Sequence, residues 1–182
     1  MNRTLVAAAL LCLMGAAPVA LAAGPASTPY AGEQHRDIKA LSPRDVQDLL
    51  AGRGMGLAKS AELNGYPGPA HVLELSDRLG LTAEQSARTK SVFEAMETRA
   101  RALGKALVER EAELERLFAS RRITSAALEA SLAEISKLQG ELRRVHLEAH
   151  LAQTDILTPE QIAAYAELRG YGGADHSGAH RH

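Results

Sequence analysis

The chain has 182 residues, 46% of them hydrophobic but only 3% aromatic, with no tryptophan and a formal net charge of −1. Alanine and leucine supply most of the apolar content, which favours helices and argues against a sandwich of β-branched and aromatic strands. The near-neutral charge offers no basic face for nucleic acid, and a single cysteine, Cys12, excludes an intrachain disulfide or a multi-thiolate metal centre.

The first stretch, MNRTLVAAALLCLMGAAPVALAAG, has the form of an export signal. Arg3 supplies the positive start, residues 5–14 the apolar run, Gly15 and Pro18 the break, and Ala20-Leu21-Ala22 a small-x-small cleavage site. An uncleaved anchor is the alternative, but the span is barely long enough to cross a bilayer. Cleavage after residue 22 predicts a periplasmic protein without a thiol and, with Arg3 gone, a net charge of −2. Residues 23–41, rich in small residues, proline and mixed polars, are expected to be a flexible lead-in.

A helical domain is expected over residues 42–170. Ser42, Pro43 and Asp45 start a short helix as cap, first-turn proline and first-turn acid. AGRGMG stops it; without a preceding strand or a Gly-Lys-Ser/Thr ending it is a flexible connector rather than a phosphate loop. A second short helix ends at Asn64-Gly65, the chain turns at Pro67-Gly68-Pro69, and AHVLELSDRLG gives an amphipathic helix with Val72, Leu75 and Leu79 on one side. Two long helices follow, over about 82–119 and 125–155. In the first, Phe93, Met96, Ala100, Leu103, Leu107, Leu114 and Leu117 recur at spacings of three and four, with Arg110 filling the gap; in the second, Leu128, Leu132, Ile135, Leu138 or Gln139, Leu142, Val145, Ala149, Ala152 and Ile156 do the same. The short link at Arg121-Arg122 makes them an antiparallel hairpin. A last helix runs from Pro159 to Leu168, and residues 171–182 form a disordered histidine-containing tail. Gly104 and Gly140 lie nearly level across the hairpin, which predicts a bend or a close backbone approach there.

One pattern occurs twice. Leu81-Thr82-Ala83-Glu84-Gln85 and Leu157-Thr158-Pro159-Glu160-Gln161 share Leu-Thr-x-x-Gln, with the threonines 76 positions apart. Each is a capping box, in which threonine caps the helix and glutamine three residues later reaches back to the threonine N–H. The hairpin turn lies midway between them, so both boxes return to one end of the molecule. Leu157 and Ile162 can form a hydrophobic staple at the second box.

Paired LTxxQ motifs after an export signal resemble the Spy/CpxP family of periplasmic stress proteins, over about residues 71–168 and best from His146 to Tyr165. GRGMGLAKSAELNGYPGP lies outside that pattern. The resemblance implies an all-α fold, a thin curved layer built on the helical hairpin with short flanking helices, in a cradle-like homodimer. It also implies an ATP-independent chaperone or envelope-stress regulator, with related proteins binding or sensing heavy metals.

Three functions follow as expectations. The first is binding of partly unfolded proteins on a hairpin face carrying Arg88, Phe93, Met96, Arg99, Leu103 and Arg110. Residues 86–122 hold nine basic and six acidic side chains, a local +3, so a mildly basic surface with apolar patches would attract such clients. The second is a zinc, copper or nickel site. His146 and His150 share a helix face, each follows a seam position, and both are expected to flank the core and stay reachable. Glu148 points elsewhere, so a third ligand would come from His71 or a dimer partner, while His176, His180 and His182 would bind metal weakly. The third is docking on a membrane sensor. No Gly-x-Ser-x-Gly or His-Glu-x-x-His is present, so an enzyme and a required cofactor are not expected.

Overall fold

Helices account for the regular structure in the computed structural model, which describes residues 28–172 and shows no strand among them. Contacts divide the chain into Met1–Gly32, of which only a turn at residues 28–32 is described, and Glu33–His182, which carries every described helix. The export signal and His176, His180 and His182 lie outside the described residues. No described helix is long and apolar enough to cross a membrane.

Seven α-helices follow a short 3-10 turn at Glu33–His35: α1 Pro43–Leu50, α2 Lys59–Glu62, α3 Pro69–Glu74, α4 Ser76–Leu79, α5 Ala83–Ala119, α6 Ser125–Thr154 and α7 Pro159–Leu168. The two long helices pair as the expected antiparallel hairpin, turning at Arg121, which takes a left-handed φ of 55°. Their apolar stripes meet α1 in a core of Leu49, Ala100, Leu107, Ile135, Leu142 and Val145. A second core, Val72, Leu79, Leu157 and Tyr165, joins α3 and α4 to α7 at the open end of the hairpin. The single amphipathic helix expected over residues 70–80 is two, because Leu75 (φ −102°, ψ 11°) departs from helical geometry. That break places α4 against α7.

The two LTxxQ boxes are formed and touch. Thr82 Oγ1 accepts from the Gln85 N–H and Gln85 Oε1 from the Thr82 N–H; Thr158 and Gln161 repeat the arrangement. The two glutamine amides then pair reciprocally across the hairpin's open end. Gln85 Nε2 donates to Gln161 Oε1 at 2.8 Å, and Gln161 Nε2 to Gln85 Oε1 at 3.1 Å. Each also donates to a carbonyl of the opposite element, Gln85 to Ile156 and Gln161 to Leu79. Deeper between the helices, buried Gln153 donates to buried Thr89.

Gly104 permits a close approach. A Cβ there would stand 2.1 Å from the Leu49 carbonyl oxygen, so only glycine lets the end of α1 lie on α5. Gly140 has open space around it and makes no such approach. Two stretches expected to be flexible are anchored instead. In the lead-in, Ile38 is buried and the Lys39 ammonium meets Glu115 of α5 at 2.7 Å, because this segment covers apolar surface that the two-helix hairpin cannot bury alone. In the AGRGMG connector, Gly52 (φ 69°) lies so close to α5 that a Cβ would meet the Glu97 carbonyl oxygen at 3.0 Å, and Arg53 pairs with Asp48 at 2.5 Å.

Candidate metal centre

The anchored connector and the Tyr66–Pro69 turn both lie over the C-terminal third of α6, at His146 and His150. Two cavities, of about 470 and 360 Å³, share Gly54, His71, His146 and His150 in their walls. His146 and His150, one turn apart on α6, are 3% and 9% exposed. The expectation that both stay reachable at the surface is therefore corrected: the connector and turn, left open by the sequence reading, cover them. Glu148 points away as expected, into ion pairs with Arg144 and Arg99.

Each imidazole is set differently. His150 Nδ1 lies 2.8 Å from the Tyr66 carbonyl oxygen, which only accepts, so Nδ1 carries the proton and Nε2 keeps its lone pair in the neutral ring. An imidazole whose other nitrogen donates to a backbone carbonyl is the arrangement that orients a metal-binding histidine. The Nε2 edge faces Gly68, where a Cβ would stand 3.2 Å from Nε2 and 3.3 Å from Glu62 Oε2. His146 Nε2 is buried and has no hydrogen-bond partner among the described residues. Burial, and then the charge of neighbouring His150, lowers the His146 pKa, which keeps that ring neutral.

Glu62, at the end of α2, joins the histidines. Its Oε1 accepts from the Tyr165 hydroxyl at 2.5 Å and the Tyr171 hydroxyl at 3.2 Å, and lies 3.4 Å from His71 Nδ1. Its Oε2 lies 3.8 Å from His150 Nδ1, buried and without a hydrogen bond. Burial pushes the carboxyl up, but hydrogen bonds from His71 and Tyr165 and the charges of His71 and His150 outweigh it and hold the pKa at about 2. Tyr165 moves the other way, its phenol pushed up by burial and by the adjacent carboxylate. Arg169 closes the group, 3.6 Å from Glu62 Oε1.

The donor set is three imidazoles and a carboxylate, which suits zinc, copper or nickel. Two donor atoms, His146 Nε2 and Glu62 Oε2, are buried without the hydrogen bonds that buried polar groups ordinarily make, and Gly68 leaves space where any side chain would intrude. Among the described residues no three histidine, cysteine, aspartate or glutamate side chains stand close enough together to hold a metal ion as they are placed. His71, its side chain 37% exposed, is the member with room to turn.

The sequence reading named His146 and His150 and offered His71 as a third ligand, and the fold brings all three to one place. It missed Glu62, 84 positions before His146. The apolar residues expected on a client face are half-buried: Phe93 and Met96 line the histidine cavity, and Leu103 packs against the hairpin core. Arg88, Arg99 and Arg110 are exposed, the latter two paired with Glu148 and Glu113.

No curated protein and no solved structure matches the chain at a significant level. The heavy-metal resistance family model matches residues 57–164, a span that holds both LTxxQ boxes and Glu62, His71, His146 and His150. With more than half of its length matched, the chain belongs to the heavy-metal resistance family, within the LTxxQ group of periplasmic helical proteins that includes the Spy/CpxP-like members.

Proposed function

We propose that the protein is a periplasmic metal-binding protein of heavy-metal defence, acting by capture or sensing rather than catalysis. The site is Glu62, His71, His146 and His150. The observation that carries this reading is a pair of orphaned buried donors, His146 Nε2 and Glu62 Oε2, beside a His150 already oriented by the Tyr66 carbonyl. Leaving such atoms unpaired costs roughly 1–3 kcal/mol each, a cost a bound ion would remove. The test is calorimetric titration of chelator-stripped protein with zinc. One high-affinity ion per chain is expected, with affinity falling at least tenfold in Glu62→Gln and further in His150→Ala. Equal affinity in all three proteins would refute the site.

Client binding is a second reading, favoured by a different region. Phe118 and Leu132, on the distal part of the hairpin, are 52% and 46% exposed, and Arg121 and Arg122 stand at the turn. Exposed apolar side chains beside positive charge suit partly unfolded, acidic clients. In this reading the metal-free protein suppresses aggregation of an unfolding client without ATP, and Phe118→Ser with Leu132→Ser abolishes the effect. Suppression that survives both changes would move the surface elsewhere. A homodimer completes the proposal as the family resemblance implies it, and docking on a membrane sensor is the alternative role.

A further inference from the structure

Met55 is one of two described non-glycine residues with positive φ, at 46°. It stands between Gly54 and Gly56 in the connector, and a third glycine would adopt that conformation without strain. Met55 is 44% exposed, and its covered part lines an apolar groove with Leu41, Leu49 and Leu57 as well as the cavity at the histidines. A bulky residue held in a sparsely populated conformation points to a use for its side chain. Met55 lines the smaller cavity together with Glu62, His71, His146 and His150. Met96, the other described methionine, lines the larger cavity, which shares those three histidines. The chain has four methionines, so the two within the described fold both flank the histidine site. Thioether sulfur is a soft donor that favours cuprous copper, while imidazole serves both cuprous and divalent ions. The one cysteine lies outside the described residues, so thioether is the soft donor this fold places at the site.

We propose that the site is built for a thiophilic monovalent ion, cuprous copper, with Met55 as its soft ligand beside His146 and His150. The proposal rests on reading the histidine cluster as a metal site and adds which ion it selects. No electron transfer is involved: the ion enters and leaves in the same oxidation state.

Silver(I) is the redox-silent probe and zinc(II) the comparison. Both are titrated into the purified full chain, Met55→Leu, Met55→Gly, and a His146→Ala/His150→Ala variant that reports binding elsewhere, including the histidine tail. Met55→Gly relieves the backbone strain, so it keeps the fold while losing the sulfur. Protein labelled with carbon-13 at the methionine methyls follows the same titration by NMR. The expected result is a loss of at least tenfold in silver affinity in both Met55 variants, zinc affinity within twofold of wild type, and a Met55 methyl resonance that moves with silver. Unchanged silver affinity with an unmoved methyl would overturn the proposal. Zinc binding at the histidines, with silver bound no more tightly than by the double-histidine variant, would overturn it alone. Absence of both ions from the histidines would overturn the metal-site reading with it.

Discussion

Gly68 shows how one residue keeps the site open. Its φ of −83° is ordinary for any amino acid, so glycine is required there by space and not by backbone conformation. An added methyl group would stand 3.0 Å from His150 Cε1. Gly68→Ala is therefore expected to leave the helix content unchanged and to lower zinc affinity at least tenfold, measured by competition with a chromophoric chelator; unchanged affinity would place the ion elsewhere. Acid should separate two neighbouring groups. The His146 pKa is lowered from 6.5 in the folded protein, so the unfolded chain binds more protons, and stability falls as pH drops below about 6.5. The Glu62 pKa is lowered from 4.5 to about 2, so its contribution is complete above 4.5 and is lost as pH falls toward 2. Thermal melting of metal-free protein across that range should show two descending limbs, with His146→Leu flattening the upper one and Glu62→Gln the lower. A single limb untouched by either change would contradict these assignments.

Among the elements, the hairpin was the most legible part of the sequence. Leucines and alanines at helical spacing marked α5 and α6, Thr82 and Thr158 marked the starts of α5 and α7, and the nearly equal distance of the two LTxxQ boxes from the turn placed them together. The reciprocal pairing of Gln85 and Gln161 follows from that register, and it makes the boxes one unit. Gln85→Ala and Gln161→Ala should each lower stability by roughly 1–2 kcal/mol. The double change should cost less than the sum, by about 0.5 kcal/mol or more, since each single change already breaks the pair. Additive denaturation midpoints would mean the amides act separately. The glycines of the hairpin were legible only in part, because equal level along two helices does not say what lies against each. With Leu49 O in its way, Gly104→Ala should destabilise by about 1–3 kcal/mol. Gly140→Ala, in open space, should stabilise by up to about 1 kcal/mol.

Across the whole molecule, the site is made by segments the sequence presented as connectors. Local patterns report helices through repetition, but Arg53–Met55 and Tyr66–Pro69 have no repeat. Their placement over α6 is set by tertiary contacts: Gly52 against Glu97, α1 against Gly104, and Tyr66 O against His150. Glu62 had no local partner to reveal it, because its hydroxyl donors, Tyr165 and Tyr171, lie more than a hundred residues downstream. A rigid hairpin thus supplies two histidines, and the N-terminal segments supply the third imidazole, the carboxylate and the cover. Binding should consequently stabilise the assembled fold. At a metal concentration 100 times the dissociation constant the expected gain is about 2.7 kcal/mol. It should appear as a rise in melting temperature that His146→Ala/His150→Ala abolishes.

The central claim is tested most directly by anomalous diffraction from crystals of the full chain grown with one equivalent of zinc. A single anomalous peak about 2.0–2.2 Å from nitrogens of His146 and His150, with Glu62 or His71 completing the sphere, is the predicted result. A well-diffracting crystal with the ion only on surface residues or the histidine tail, and none between α6 and the Tyr66–Pro69 turn, would contradict the account.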